Sequence, residues 1–386
     1  MSSAKTAIAL LKAAINDDKI NMADDTDWSE VFRILKAHSL ASMGYYGIEK
    51  LGISLPDEIK AQFEKTKKTD FGRDVVQSCG VDYILDAFEN AGVYAMPLKG
   101  YYMRSLYPET YHRTRCDVDI LIKPESIDAA VAIMEEQGFP TKEESEHEIV
   151  FKRLPMMSIE LHKMLLKRSS SEKLYQYYKN VWDRAVNENG RTKIYKMTDE
   201  DFYIYMIVHL AKHYKNGGTG IRSVVDIYLF NKHFKDRIDD EYIARELKKI
   251  DLFEFDSKIR QLSLYWFEDA RCSSEVQFMS DFITGGSSYG NAKYVSAAKA
   301  ISISDGNIAK AKMRRFFEVA FPKYKNMTFL YPALKGKPFL LPLYWVWRGI
   351  DRVFIKKKSV NTVKLNAESD GVDCLKQHFK SIGLNL

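Results

Sequence analysis

Asp117 and Asp119 stand two positions apart in the apolar run Asp117-Val-Asp119-Ile-Leu121. Strand side chains alternate, so both carboxylates point to one face. Adjacent like charges repel unless something positive lies between them, and a divalent cation is the usual partner. Magnesium prefers oxygen ligands of this kind. Lys99, Arg113 and Arg115 bring positive charge to the same neighbourhood, which suits a bound phosphate chain. A third carboxylate, Glu160, stands in Ser-Ile-Glu160-Leu-His162. The flanking Val118, Ile120 and Leu121 predict a buried strand, where unpaired carboxylates are expensive. Three acids on neighbouring strands can hold two Mg2+ ions, with Mn2+ as a substitute. One ion activates an attacking oxygen and the other steadies leaving pyrophosphate.

The elements that must position these residues follow from periodicity and punctuation. Residues 4–16 carry an amphipathic stripe, Asp27 or Ser29 can cap a second helix, and Asp57 opens another after Pro56. Helical spacing continues through Val81, Ile84, Leu85 and Phe88 to a stop at Gly92. The period then changes. A short strand at 93–98, a helix at 100–106, a strand at 117–122 and a helix from Pro124 to Gly138 are expected in turn. Two strands follow, 147–154 and 157–162, joined by a turn at Pro155. From about Lys173 the pattern is helical again, with Thr198 and Asp201 as a capping box and a helix at 221–234. The expected fold class is α+β: a small mixed sheet with helical N-terminal and C-terminal regions. The expected divisions are 1–91, 92–185, 186–330 and 331–386.

The 386 residues carry a net charge of +6, mild for a dedicated nucleic-acid binder. No extended basic and aromatic groove is visible, so a long nucleic acid is not an expected partner. Four scattered cysteines form no CxxC pair and read as free thiols of a cytoplasmic protein. No apolar run is long enough to span a bilayer, and no signal-peptide core precedes the first helix. Trp345 and Trp347 near Lys356-Lys357-Lys358 are residues that a membrane interface attracts. Arg348 and Asp351 interrupt that face, so packing within the protein is expected ahead of peripheral membrane contact through 338–358. His209 and His213 share a helix face, but Leu210 stands where the zinc-protease signature needs glutamate, and zinc is not expected there.

The set Leu98-Lys-Gly100, Leu106-Tyr-Pro108, Arg113-x-x-x-Asp117-x-Asp119-x-Leu121 and Ile159-Glu-Leu-His162 resembles the uncharacterised bacterial nucleotidyltransferase family. That family falls in the DNA polymerase beta-like nucleotidyltransferase superfamily. The resemblance implies a polymerase beta-like core that transfers NMP from an NTP, ATP above all, to a hydroxyl acceptor. It implies Asp117, Asp119 and Glu160 as metal-binding catalytic acids, and Gly100 as the triphosphate contact. Lys-Gly stands where Gly-Ser is usual in the superfamily, and Lys99 can compensate by charge. Arg113 would neutralise the leaving phosphates, and His162 would orient Glu160 or touch the substrate. His213 and Arg222 fit a helical domain that closes over the nucleotide, although Arg222 and Asp226 can instead pair at i,i+4. A non-catalytic nucleotide-binding protein that keeps the fold is the alternative.

Overall fold

The computed structural model describes the chain except residues 1, 20–24, 115–116, 154–156, 168–170, 189, 289, 305–306, 351–368 and 385–386. The expected turn at Pro155, Arg115 and the Lys356–Lys358 run therefore lie outside the described residues. The chain divides into two units, residues 1–212 with 219–289, and residues 213–218 with 290–386.

The first unit opens with α1 (Ser3–Asn16), α2 (Trp28–Ala37), α3 (Ala41–Leu51) and the 34-residue α4 (Asp57–Asn90). Asp27 caps α2 by accepting from Glu30 N–H at 3.0 Å. Gly47 lets α3 lie against α1, since a Cβ there would stand 2.2 Å from the Leu10 carbonyl oxygen. α4 ends where Gly92 turns to φ +74°, a conformation that costs glycine little.

The sheet then forms from β1 (Ala95–Pro97), β2 (Val118–Ile122), β3 (Thr141–Glu144), β4 (Glu148–Arg153) and β5 (Met157–His162), in the spatial order β1-β2-β5-β4-β3. β2 and β5 are parallel, and the other neighbours are antiparallel. The sheet is thus mixed, as the α+β expectation requires. β3 is a strand that hydrophobic alternation does not announce, because all four of its residues are exposed. α5 (Lys99–Met103) follows β1, and α6 (Ile127–Glu136) crosses from β2 towards β3.

Alternation decides which face of this sheet does chemistry. Val118, Ile120, Ile122, Ile149, Phe151, Ile159 and Leu161 form one core with Val81, Ile84, Leu85 and Phe88 of α4 and Met134 of α6. Each fully buried aliphatic or aromatic side chain there contributes about 1.5–3 kcal/mol. The residues between them, Asp119, Glu148, Glu160 and His162, therefore point the other way, and none is fully buried. Leu121 on the acid face is buried too, so Asp119 and Glu160 are only half-exposed and burial still acts on Glu160.

After α7 (Glu172–Tyr178) and the hairpin β6 (Ala185–Asn187) and β7 (Tyr195–Met197), the chain is helical. α8 (Asp199–Lys215) begins as expected, with Thr198 Oγ1 accepting from Asp201 N–H at 3.2 Å. α9 (Ile221–Phe234), α10 (Asp240–Lys249), α11 (Phe253–Phe267) and α12 (Ser274–Thr284) complete this unit.

The second unit contains α13 (Ala292–Ser304), α14 (Ile308–Ala320), α15 (Tyr324–Leu330), α16 (Leu341–Ile350) and α17 (Ser369–Ser381). Tyr214 and His378 Nε2 share a hydrogen bond of 2.7 Å within it. Trp345 packs on Phe321 and donates to the Pro322 carbonyl, whereas Phe339, Leu343, Val346 and Trp347 are exposed. No helix among the described residues is long and apolar enough to cross a membrane.

Candidate active site

The parallel pairing of β2 with β5 sets Asp119 opposite Glu160 and Leu121 opposite His162. One oxygen from each of Asp119 and Glu160 and one nitrogen of His162 fall within 4.8 Å of one another. His162 Nε2 lies 3.0 Å from Asp119 Oδ1 and 3.9 Å from Glu160 Oε2. Asp117 stands one residue ahead of β2, is exposed, and lies near enough for its charge to act on Glu160. Leu98 N–H donates to the Asp119 carbonyl at 2.9 Å, which anchors the start of α5 beside the acids.

The charges of this group do not balance. Burial, and then the charges of Asp117, Asp119 and Glu148, push the Glu160 carboxyl up to about 7. Asp117 is raised as well, first by the crowding of protein atoms around it and then by Asp119. Its carboxylate still opens to solvent on one side. Desolvation alone would lower His162, but its hydrogen bond to Asp119 and the surrounding carboxylates raise it overall. Several acids thus share one imidazole, and positive charge is in short supply. The donor set of clustered carboxylate oxygens fits a hard divalent cation such as Mg2+ or Mn2+. Asp119 and Glu160, with His162, are the residues whose ligand atoms converge closely enough to hold one.

Beside the acids lies a hub built on Asp226 of α9. The carboxylate is buried, and it accepts from Arg113 Nε at 2.8 Å, Arg113 Nη2 at 2.9 Å and the Tyr107 hydroxyl at 2.8 Å. Lys99 Nζ approaches the same carboxylate at 3.1 Å. Burial would raise the Asp226 carboxyl, but Arg113 and Lys99 together hold it well below the usual range. Lys99 is itself lowered by desolvation, which Asp226 only partly offsets. Two cations face one carboxylate, so the hub retains net positive charge.

The structure therefore places the residues expected around a phosphate chain as follows. Lys99 and Arg113 are engaged with Asp226. Gly100 sits in the first turn of α5, half-buried. Arg222 does not form the i,i+4 ion pair with Asp226. Its Nη1 donates instead to the Thr114 carbonyl at 2.7 Å, and its charge lowers Asp117. His162 orients Asp119 by hydrogen bond, while Glu160 lies farther from it. His213 is exposed and belongs to the second unit.

Three further residues join this neighbourhood. Tyr107, inside the Leu-Tyr-Pro motif, supplies a hydroxyl to Asp226. Glu148 and His147 reach the acid face from the neighbouring strand. The antiparallel pair of strands around Pro155 does announce Glu148, because residues seven places before and after that proline pair with each other.

A family model described as "Uncharacterised nucleotidyltransferase" matches residues 24–268. The match runs from α2 to the end of α11 and includes every residue of the acid group and of the Asp226 hub. No curated protein and no solved structure matches the chain.

Proposed function

The chain belongs to the uncharacterised nucleotidyltransferase family, and on that premise we propose that it moves NMP from an NTP to a hydroxyl acceptor and releases pyrophosphate. The observation that carries the reading is the juxtaposition of Asp119, Glu160 and His162 within 4.8 Å, with the charge of Asp117 acting on Glu160. A polymerase beta-like core is part of this proposal. So are Mg2+ as the metal and ATP as the first nucleotide to try.

Each residue then has a task. Asp117, Asp119 and Glu160 hold the divalent ions. When bound, those ions supply Lewis-acid chemistry that activates the acceptor oxygen and neutralises charge on pyrophosphate. His162 fixes the orientation of the Asp119 carboxylate through the 3.0 Å contact. Gly100 and the opening turn of α5 receive the triphosphate. Lys99 and Arg113 act there as a preorganised field, since Asp226 fixes both cations and leaves the hub net positive. Arg222, held by the Thr114 carbonyl, adds a cation beside Asp117. The acceptor oxygen bonds to the α-phosphorus as the bond to the β-phosphate oxygen breaks, and the hydroxyl proton is released.

The test is incubation of the full chain with Mg2+ and an NTP labelled at the α-phosphate, against a panel of protein, sugar and small-molecule hydroxyls. Label on an acceptor with stoichiometric pyrophosphate, abolished by Asp117→Asn, is the expected result. Transfer of a γ-label with a nucleoside diphosphate as product would make the protein a phosphotransferase instead. Metal-dependent nucleotide binding without turnover on any acceptor would favour a non-catalytic binding protein.

A further inference from the structure

Next to the acid group, β4 and β5 bring together a second set of donors with a different chemistry. Glu148 pairs with His162 across the antiparallel register, and His147 immediately precedes β4. One ligand atom from each of His147, Glu148 and His162 lies within 4.8 Å of the others. His147 Nε2 is 3.7 Å and His162 Nδ1 is 3.9 Å from the same oxygen, Glu148 Oε2. Both separations are too long for hydrogen bonds. They suit two donors that share an ion at about 2.0–2.2 Å from each.

His162 Nε2 is paired with Asp119, but the Nδ1 edges of both imidazoles are not satisfied. His147 is 6% exposed, and the Nδ1 atoms of His147 and His162 are buried without a hydrogen-bond partner. A buried polar nitrogen with no partner costs free energy, and the edge-to-face contact of the two rings does not satisfy it. A metal bond at His162 Nδ1 would.

We propose that His147, Glu148 and His162 form a transition-metal site, adjacent to the acid group, that takes Zn2+ or Co2+ in preference to Mg2+. Two imidazoles are borderline donors that, with one carboxylate, suit late first-row ions, whereas magnesium favours an all-oxygen and water shell. Three protein ligands leave a fourth position open. His162 couples the two places. Ligation through Nδ1 puts the proton on Nε2, which then donates to Asp119 Oδ1 across 3.0 Å. An ion here would orient an acid of the neighbouring group. The inference stands on these distances and is independent of the nucleotidyl-transfer reading.

The experiment is titration of the untagged, metal-free full chain with Co2+ alone, read by visible ligand-field absorption. The expected result is one equivalent bound with imidazole ligation and retained in excess Mg2+. His147→Ala and Glu148→Gln should each weaken binding beyond the roughly 10–100-fold that loss of an outer partner costs. Glu160→Gln should leave the band in place. Glu148→Gln keeps shape and decides the matter should His147→Ala not fold. The proposal is overturned by absence of a Co2+ band. It is equally overturned if Glu160→Gln abolishes the band while Glu148→Gln preserves it, because the ion would then sit with Asp119, Glu160 and His162.

Discussion

Arg113 clasps Asp226 through two parallel hydrogen bonds of 2.8 and 2.9 Å, across more than a hundred residues of sequence. The pair ties the loop that precedes the acid strand to helix α9. It also explains why an arginine and a lysine can stand beside the acids without neutralising them. Their charge is anchored elsewhere, and only the surplus reaches the site.

Asp226→Asn removes that anchor and leaves Arg113 and Lys99 buried against a neutral amide. Breaking a buried ion pair from one side costs about 3–5 kcal/mol. Chemical denaturation at neutral pH should show a loss of that order, with the denaturant midpoint shifted and the slope unchanged. A loss below about 1 kcal/mol would mean that the hub is not a structural anchor.

Asp117 and Asp119 should separate in their effects, because only Asp119 is held by a neighbour. Asp119→Asn removes a metal ligand and the partner of His162 together, so Mn2+ affinity should fall more than in Asp117→Asn. Titration by electron paramagnetic resonance of the three proteins provides the measurement. Equal affinities in all three would remove both residues from the metal.

Arg222 is fixed by the Thr114 carbonyl and acts on Asp117, yet it forms no ion pair with Asp226. Arg222→Gln should therefore cost folding no more than its one hydrogen bond to Thr114, about 1.5–3 kcal/mol, while weakening NTP binding. A hydrogen bond to a charged group is worth about 1.5–3 kcal/mol, or roughly ten- to a hundredfold in affinity. Calorimetric titration with a non-hydrolysable NTP and Mg2+ reads the effect directly, and an unchanged affinity would exclude Arg222 from the phosphates.

Acid sensitivity should come first from histidines. Burial lowers His38 and His112 from 6.5 to about 4. His38 Nδ1 accepts from the Ile221 N–H at 3.1 Å and so must stay unprotonated to hold the start of α9. A base whose folded value is depressed contributes stability that is complete above the unfolded value. That stability is lost as the pH falls from about 6.5 through about 4. Urea midpoints measured across this range should fall, and His38→Asn, which keeps an acceptor but does not titrate, should flatten the fall.

Much of this was legible because local rules and tertiary structure agree. The period of two in Asp117-Val-Asp119 and in Ile159-Glu-Leu-His162 gives both the strands and the shared acid face. Asp27, Thr198 and Gly92 mark helix ends by their chemistry. What alternation could not give is the depth of the sheet: Asp117 was expected on a buried strand and is exposed. Periodicity also could not give partners distant in sequence. Arg222 and Asp226 sit at pairing distance on one helix, and proximity in sequence suggested a pair. The competition was won by Arg113 and Lys99, whose bidentate and buried contacts to Asp226 arise only once α9 has docked. β3 carries no hydrophobic alternation, because its residues are all exposed.

The central claim is that Asp117, Asp119 and Glu160 hold the divalent ions of a nucleotidyl-transfer site. Its most direct test is a crystal structure of the full chain with Mn2+ and a non-hydrolysable NTP, with anomalous difference density collected for manganese. The account predicts manganese peaks ligated by all three carboxylates, with the triphosphate beside the start of α5. A bound triphosphate with no manganese on Asp117 or Asp119 would contradict it.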